Sequence, residues 1–244
     1  MTTERTLKGR GRRYREIAGL VDRARKYSPL EAVEILKQAS RVKFDETVEL
    51  HVRTGADPRH ADQQIRGVAM LPHGTGRARR VMAFVQGPAV AIAEEAGADF
   101  IGDDEAIRRI EHEGWADFDV AVATPDMMGR IGRLGRFLGR KGLMPNPRTG
   151  TVVQAEDLPN IIRESKQGRV EFRMDRSGNI HSPIGKVSFE PQALLENLAA
   201  VVEAITRSRA EGIKGNLYRA IYLTSSMGPS CEMNILEVQA IEIE

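Results

Sequence analysis

The spacing of apolar residues changes along the chain, and the first pattern predicts helices followed by a strand. Apolar residues three or four positions apart predict an amphipathic helix over residues 12–27 and a second one over 30–38. Ser28 and Pro29, just before the second helix, are typical of an N-cap and a first helical residue. Residues 46–53 then alternate between polar and apolar, which predicts a half-buried strand whose apolar face is Val48, Leu50 and Val52.

The two-residue alternation returns after Gly168 and continues towards the C-terminus. Strands are predicted over residues 170–174 and 180–189, and the residues between them are those that close β-hairpins. The longest apolar stripe at helical spacing follows over 191–209, and a further strand over 217–223. Together these elements predict an antiparallel sheet covered by helices, which is an α+β arrangement built from both ends of the chain.

The middle of the chain has a different rhythm, because short apolar strands alternate there with short helices. The predicted elements are strands over 80–85, 99–102 and 118–123, and helices over 88–96, 104–112 and from Pro125 onwards. Such alternation predicts a small parallel sheet covered by helices. We therefore predict a discontinuous α+β domain, residues 1–73 and 169–244, with an inserted α/β domain at residues 74–168.

The segment from Arg130 to Val153 combines basic side chains, recurrent glycines and two prolines, and it contains no acidic residue. Interior glycines destabilise a helix by roughly 1 kcal/mol each relative to alanine, so the pattern favours irregular backbone or close backbone approach over a free-standing helix. Such a segment makes poor core. It predicts a surface for an anionic partner, and the alternative is a solvated basic loop. We call this stretch, Arg130 to Val153, the basic segment. Its cations are Arg130, Arg133, Arg136, Arg140, Lys141 and Arg148.

Charge is unevenly distributed on a chain whose formal net charge is only +2. Residues 1–30 carry nine basic and three acidic groups, whereas residues 232–244 carry four acids and no base. Segregated charge of this kind suggests surfaces that bind a polyanion. Aromatic residues make up only 5% of the chain, which argues against an extended base-stacking platform.

Other classes of function receive little support from the sequence. No apolar run approaches the ~20 residues that span a bilayer, and the basic N-terminus lacks the apolar stretch of a secretory leader, so we expect no membrane partner. The single cysteine, Cys231, fits a reducing cytoplasm. The histidines are scattered, and no P-loop, nucleophile elbow or dinucleotide-binding fingerprint is present. We therefore predict no catalytic residue, no metal site and no cofactor.

Five stretches occur in the order and at the intervals found in one known family. They are KFDETVEL, DQQIRGVAMLPHGTGR, GRKGLMPNPRTGTV, DRSGNIHSPIGKV and TSSMG. From about Tyr14 to Gly228 the chain resembles the bacterial-type large-subunit ribosomal proteins that bind the mobile rRNA stalk, the L-one family. Two departures are visible: Arg140 stands where bacterial members often have proline, and the acidic ending 232–244 has no recognised counterpart.

The resemblance implies both a fold and a function. It implies an α+β domain of split β-α-β type that binds large-subunit rRNA, a Rossmann-like inserted domain, and no enzymatic activity. It further implies a cytoplasmic protein, a monomer within the ribosome, that assists release of deacylated tRNA from the exit site and represses translation of its own operon mRNA. The residues that match the family's rRNA-contacting motifs are Lys43, Phe44, Thr47, Asp175, Arg176, Ser226, Met227 and Gly228.

From the residues alone, ordinary strand-end loops are the simpler interpretation of Lys43-Phe44 and of residues 224–228, and only the resemblance favours RNA contact there. The basic segment is a candidate surface for a second RNA, such as tRNA, on the strength of its charge. Two alternatives remain at this point. One is a nucleotide-binding enzyme or sensor that uses the inserted domain, and the other is a general RNA chaperone with no preference for the stalk.

Overall fold

The fold is described from a computed structural model, which covers residues 11–241. The chain separates into two compact units, Met1–Gly76 with Val170–Glu244, and Arg77–Arg169. We call them the discontinuous unit and the inserted unit. Among residues 11–241, no helix has the length and apolar character needed to cross a membrane.

Helices and strands occur in both units, which confirms the predicted mixed α/β and α+β class. We number them in chain order and leave short 3₁₀ turns unnumbered. They are α1 (Arg12–Ala18), α2 (Pro29–Ala39), β1 (Thr47–Thr54), β2 (Arg66–Met70), β3 (Val81–Phe84), α3 (Ala89–Glu95), β4 (Phe100–Ile101), α4 (Asp104–Glu113), β5 (Val120–Ala123), α5 (Pro125–Ile131), α6 (Gly135–Lys141), α7 (Leu158–Gln167), β6 (Arg169–Arg173), β7 (Asn179–Lys186), α8 (Pro191–Arg207), β8 (Tyr218–Ser225), β9 (Ser230–Met233) and α9 (Ile235–Gln239).

The discontinuous unit is built on a four-stranded antiparallel sheet with the order β7-β1-β8-β9. Strands β7 and β8 are joined by the long helix α8 and lie on either side of β1. This is a split β-α-β unit, with a strand from the N-terminal part of the chain between two strands from the C-terminal part. The register pairs Val48 of β1 with Ser225 of β8, so the start of β1 meets the end of β8.

One face of this sheet carries the core of the discontinuous unit. Val48, Leu50 and Val52 are buried, as their alternation predicts, and α2 and α8 pack over them. Helix α2 begins with a capping box, in which Ser28 Oγ accepts from the Glu31 amide and Glu31 reaches back to the Ser28 amide. Helix α8 buries the predicted apolar stripe, including Leu194, Leu198, Val201, Val202 and Ile205.

The predicted helix over residues 12–27 is wrong in its length, because α1 ends at Ala18 with Gly19 as its C-cap. Beyond that point Asp22 Oδ1 accepts from the Ala24 amide, 2.9 Å away, and forms a local turn that competes with helix. Only Ile17 and Val21 of the expected apolar face are buried, while Leu20 and Ala24 are exposed. The helical spacing of apolar residues therefore corresponds to a buried face over one turn only.

The inserted unit contains a three-stranded parallel sheet with the order β4-β3-β5, as the strand–helix alternation predicts. Its β3 strand is buried on both faces. On one face, Val81 and Ala83 pack with residues of α3 and α7. On the other, Met82 and Phe84 pack with residues of α4, α5 and α6. A sheet covered on both faces in this way buries its apolar strands completely.

The expectation of irregular backbone and poor core in the basic segment is wrong for its first half. Residues 125–141 form α5, a 3₁₀ turn and α6, and the side chains of Ile131, Leu134 and Leu138 are fully buried. Burial of these three side chains outweighs the low helix propensity of the glycines. A Cβ added at the glycines would meet nothing within 4 Å, so they allow no close approach of backbones; they are Gly129, Gly132, Gly135 and Gly139.

Two acids of the C-terminal ending lie in elements of the fold. Glu232 lies in β9, where its carboxylate accepts from the Tyr222 hydroxyl at 3.2 Å and pairs with Lys26 at 3.5 Å. Glu237 lies in α9. Cys231, beside Glu232, is buried, and burial raises the pKa of its thiol to about 11, so it stays protonated and unreactive at neutral pH. Glu242 and Glu244 lie outside the described residues.

Candidate RNA interface

Two of the sequence-predicted segments meet at one end of the antiparallel sheet. The loop with Lys43 and Phe44 leads into β1, and the turn Ser226–Gly228 follows β8. The Thr47 amide donates to Ser226 Oγ at 3.2 Å, and the Ser226 amide donates to the Thr47 carbonyl at 3.1 Å. These reciprocal bonds fasten the loop and the turn together, and we call the result the sheet-end surface.

A buried carboxylate lies beneath the sheet-end surface. The side chain of Glu46 is only 1% exposed, and its two oxygens accept three hydrogen bonds within 2.8 Å. The donors are Ser40 Oγ at 2.8 Å, Ser225 Oγ at 2.7 Å and the Met227 amide at 2.8 Å. Glu46 therefore ties the end of α2 and the turn after β8 to the start of β1.

Glu46 was missed by the sequence analysis, although a signal was present. It lies two residues before Val48, on the same side of the alternation as the buried Val48, Leu50 and Val52. A carboxylate at an inward-facing position is costly unless it is hydrogen-bonded. The pattern therefore indicates a local network of donors, but it cannot indicate that the donors come from residue 40 and from residues 225–227.

The sheet-end surface exposes apolar side chains beside hydroxyl groups. Phe44 is 55% exposed and Met227 is 46% exposed, both unusually high for large apolar residues that have a nearby core to enter. The Thr47 hydroxyl is within 2.9 Å of Lys186 Nζ, which adds a positive charge to this edge. At Gly228 a Cβ would clash with Ser225 Oγ, so only glycine lets the turn close over that hydroxyl.

A cleft continues this surface towards the basic N-terminal helix. It has a volume of about 560 Å³ and lies between Gly11–Tyr14 on one side and Ser226–Gly228 on the other. Arg12 and Arg13 line it and are exposed to solvent. Arg12 also pairs with Glu16 at 3.1 Å, so Arg13 contributes the less compensated charge. The cleft joins cations, hydroxyls and bare backbone in one concave surface.

The structure does not bring Asp175 and Arg176 to this end of the sheet. They lie in the turn between β6 and β7, next to Thr54, whose amide donates to the Gly178 carbonyl at 2.9 Å. Thr54 ends the eight-residue strand that Thr47 begins, a separation of roughly 23 Å along the strand. Whether this hairpin contacts the same RNA stays a prediction.

Asp175 has a structural role in that turn. Its Oδ1 accepts from the amides of Ser177 and Asn179, each at 2.8 Å. Burial acts to raise the pKa of Asp175, but the hydrogen bonds from Asn179 and Ser177 outweigh burial and hold the pKa below its ordinary value. The carboxylate therefore shapes the hairpin, and Arg176 is the exposed member of the pair.

Two histidines face each other on the exposed side of the sheet, between its two ends. His51 and His181 are cross-strand partners, and their Nδ1 atoms are 2.7 Å apart. Their Nε2 atoms lie near carboxylates, Glu49 at 3.7 Å and Asp175 at 3.5 Å. Burial lowers the pKa of His51 below its ordinary 6.5, the neighbouring His181 lowers it further, and Glu49 opposes both. The fold therefore favours the neutral form of His51.

Acidification is expected to destabilise the protein through His51. Because the folded pKa is depressed, the unfolded chain binds the proton more readily, and stability present above pH 6.5 is lost as the pH falls through the folded pKa. Urea unfolding at about pH 7.5 and about pH 5 would measure this. His51→Gln is expected to show a smaller loss than the intact chain, and an equal loss in both would contradict the assignment to His51.

The cations of the basic segment are unequally available in the inserted unit. Arg130 pairs with Asp104, and Arg133 Nε lies 3.6 Å from Glu111, both acids of α4. Arg136, Arg140, Lys141 and Arg148 are exposed. The charge that this surface presents is therefore smaller than the sequence suggests, and it concentrates towards the C-terminal end of α6.

Comparison with known proteins decides the family. The family model described as "Ribosomal protein L1p/L10e family" matches residues 36–229, most of the chain. This chain belongs to the ribosomal protein L1p/L10e family. The match begins in α2 and ends just after Gly228, so it includes both segments of the sheet-end surface.

Similar members of the L1p/L10e family are found in several bacteria, each named "Large ribosomal subunit protein uL1". The protein of Dehalococcoides mccartyi is 51% identical over 95% of this chain and 98% of its own length. That of Thermomicrobium roseum is 54% identical over 92% and 93%, and that of Chloroflexus aggregans 53% over 96% and 98%. These identities confirm the resemblance seen in the five sequence motifs.

Membership of the L1p/L10e family also decides against the enzyme among the alternatives left open above. The family is one of ribosomal proteins, which confirms the expectation that the chain is not an enzyme and that it acts on the ribosome in the cytoplasm. A nucleotide-binding enzyme built on the inserted unit loses its support. Among the described residues, no group of three or more metal-ligating side chains is placed to hold an ion.

Proposed function

We propose that this chain is a structural protein of the large ribosomal subunit that binds the rRNA of the mobile stalk through its sheet-end surface. The observation that carries the proposal is the joining of Thr47 to the turn Ser226–Gly228 over the buried Glu46, which follows the exposed Phe44 by two residues. Structured RNA is recognised through shape, 2′-hydroxyls and phosphates more than through a linear base code. The sheet-end surface offers a group for each of these features.

Each group has a chemical part to play in this proposal. The hydroxyls of Thr47 and Ser226 donate to or accept from ribose 2′-hydroxyls. Phe44 and Met227 pack flat against sugars or bases, and Gly228 lets the RNA come close to the backbone. Lys43 and Lys186, together with the arginines of the cleft, attract phosphates. Because Glu46 and the sheet fix these groups before binding, little conformational entropy is lost when RNA arrives.

The finer parts of the proposal concern tRNA and mRNA. We propose that the discontinuous domain, residues 1–73 and 169–244, binds rRNA, and that residues 74–168 form a separate domain. Release of deacylated tRNA from the exit site would then involve the basic segment, in which Arg136, Arg140, Lys141 and Arg148 are exposed. Repression of the operon mRNA would use the sheet-end surface itself. Binding of rRNA and binding of mRNA would then exclude each other, because one surface cannot hold both at once.

Binding to stalk rRNA is expected to weaken steeply with salt, and Arg13 to contribute to that dependence. Each phosphate contact makes the slope of log K against log salt more negative by about 0.9. Arg13→Ala should therefore make the slope less steep by about 0.9, measured by filter binding to a stalk rRNA fragment over a range of KCl.

Arg207→Ala is the matched control for Arg13, because Arg207 is exposed on α8 and pairs with Glu203. It should leave the slope unchanged. If the intact chain showed no preference for the stalk over an unrelated hairpin of equal length, the proposal of stalk recognition would fail, and a general RNA chaperone would account for the binding.

A further inference from the structure

A second cleft lies in the inserted unit, and two cations of the basic segment line it. It has a volume of about 340 Å³ and lies where the end of α4 meets α6. Trp115, Phe137 and Leu138 form its apolar walls, and Arg140 and Lys141 lie at its edge. We call it the Trp115 cleft. Its volume is near the lower end of the ~300–1,000 Å³ of ligand pockets, which suits one planar ring system.

The aromatic wall of the Trp115 cleft is held in place by its surroundings. The Trp115 ring meets Phe100 and Phe118 edge to face, with centroids 5.2 and 5.9 Å away. Its Nε1 donates to Asp117 Oδ2 at 2.9 Å, and the Arg109 guanidinium lies 4.6 Å from its ring centroid. Because these contacts already fix the Trp115 ring, a ligand that packs on its remaining surface causes no further loss of rotamer freedom for Trp115.

Phe137 supplies the opposite, more exposed part of the wall. It is 37% exposed and belongs to neither core cluster of the inserted unit, although Leu138 beside it is fully buried. An aromatic side chain that the core does not use, next to an apolar cleft, indicates a contact surface. Truncating it is expected to leave the fold of the unit intact, which makes it a clean site for a test.

The charge at the edge of the cleft is positive and uncompensated. Within residues 11–241, no ion pair joins Arg140 or Lys141 to an acid, whereas Arg109 pairs with Glu113 at 3.8 Å. Lys141 Nζ lies 3.4 Å from the Gly114 carbonyl, which keeps the ammonium at the rim of the cleft. An occupant is therefore expected to carry a negative charge next to its apolar part.

We propose that the Trp115 cleft takes an unstacked nucleobase of an RNA, with the adjoining phosphates on Arg140 and Lys141. Aromatic walls accept the flat face of a base, and cations at the rim accept its backbone, as in other binders of single-stranded nucleic acid. This inference rests on the proposed function in taking RNA as the polyanion, and it gives the basic segment proposed there a specific base-binding site. It concerns residues separate from the sheet-end surface, so each can fail without the other.

Trp115 makes the test direct, because it is the only tryptophan of the chain and its emission reports on the cleft alone. Titration of the full chain with short single-stranded oligoadenylate is expected to quench that emission saturably, because a stacked base quenches indole fluorescence. Phe137→Ala should weaken the binding roughly ten- to hundredfold. Arg140→Ala should reduce the salt slope by about 0.7, whereas Arg163→Ala, an exposed arginine of α7 outside the cleft, should not change it.

Three results would overturn this proposal: no quenching by oligoadenylate, quenching that Phe137→Ala leaves unchanged, or tighter binding of an acidic phenylalanine-containing peptide in the same assay. The last would assign the cleft to a protein partner. Stalk rRNA binding of the same variants, measured by gel shift, separates the two proposals. Phe137→Ala should bind the stalk like the intact chain, and loss of stalk binding by Phe44→Ala should leave the quenching unaltered.

Discussion

Replacing Glu46 with alanine is expected to lower the free energy of unfolding by about 3 kcal/mol or more, since hydrogen bonds to a charged group contribute about 1.5–3 kcal/mol each and three are lost. The substitution leaves the Met227 amide, the buried Ser225 hydroxyl and the half-buried Ser40 hydroxyl without their acceptor. The turn after β8 then keeps only its Thr47–Ser226 hydrogen bonds to β1 and loses those to Glu46, so we expect affinity for stalk rRNA to fall roughly hundredfold as well. Urea unfolding and filter binding measure the two effects separately.

Glu49→Ala provides the control, because Glu49 is the next acid along the chain but its side chain is 43% exposed, with a carboxylate 3.7 Å from His51 Nε2. It should change the free energy of unfolding by no more than about 0.5 kcal/mol. Glu46→Gln keeps one acceptor oxygen and is expected to lie between the two. If Glu46→Ala were as stable as Glu49→Ala, the network beneath the sheet-end surface would not be what fastens the turn.

Truncating the exposed side chains of Phe44 and Met227, unlike Glu46→Ala, should have a large effect on RNA binding and little effect on stability. Phe44→Ala and Met227→Ala are each expected to weaken stalk rRNA binding by about 1–3 kcal/mol, the range for packing against a base. Both side chains are about half exposed, so their removal leaves no cavity in the core. Isothermal titration calorimetry with a stalk fragment, alongside thermal unfolding, gives both numbers.

Leu236→Ala is the matched control for these two variants. Leu236 is 76% exposed on α9 and lies outside the sheet-end surface, so it tests whether removing any exposed apolar side chain weakens binding. Its affinity should equal that of the intact chain. Equal losses in all three variants would mean that the effect is non-specific, and Phe44 and Met227 would no longer define the site.

Much of the fold could be predicted from the sequence because the elements carry strong local signals. The alternation around Val48, Leu50 and Val52 has only one arrangement that buries all three, and the cap at Ser28-Pro29 starts α2 where it was predicted. The strand–helix rhythm of the inserted unit likewise leaves few arrangements besides a parallel sheet. These predictions depend on burial of one face, which is a local property.

The failures have a shared physical cause, since tertiary contacts outweighed local propensity. Glycines around Arg133 and Arg136 argued against helix, yet Ile131, Leu134 and Leu138 gain more from burial than the glycines cost. The pairing of Arg130 with Asp104 and of Arg133 with Glu111 joins segments far apart in sequence. No pattern in the basic segment alone could have shown that part of its charge is neutralised.

At the candidate site, too, local residues could be predicted and the tertiary contacts between them could not. The resemblance supplied Phe44, Thr47 and Ser226–Gly228, but not the carboxylate beneath them. Glu46 acts through Ser225 and Met227, which are 179 and 181 positions away in the sequence. The distance of Asp175 and Arg176 from the other predicted contacts follows only from the register of β1 with β7.

The affinity of the double variant Phe44→Ala/Met227→Ala for a stalk rRNA fragment, at one fixed salt concentration, tests the central claim most directly. That claim is that one RNA surface is formed by the loop before β1 and the turn after β8. The double variant is predicted to bind at least roughly hundredfold more weakly than the intact chain and more weakly than either single variant. Binding as tight as that of the intact chain would contradict the claim.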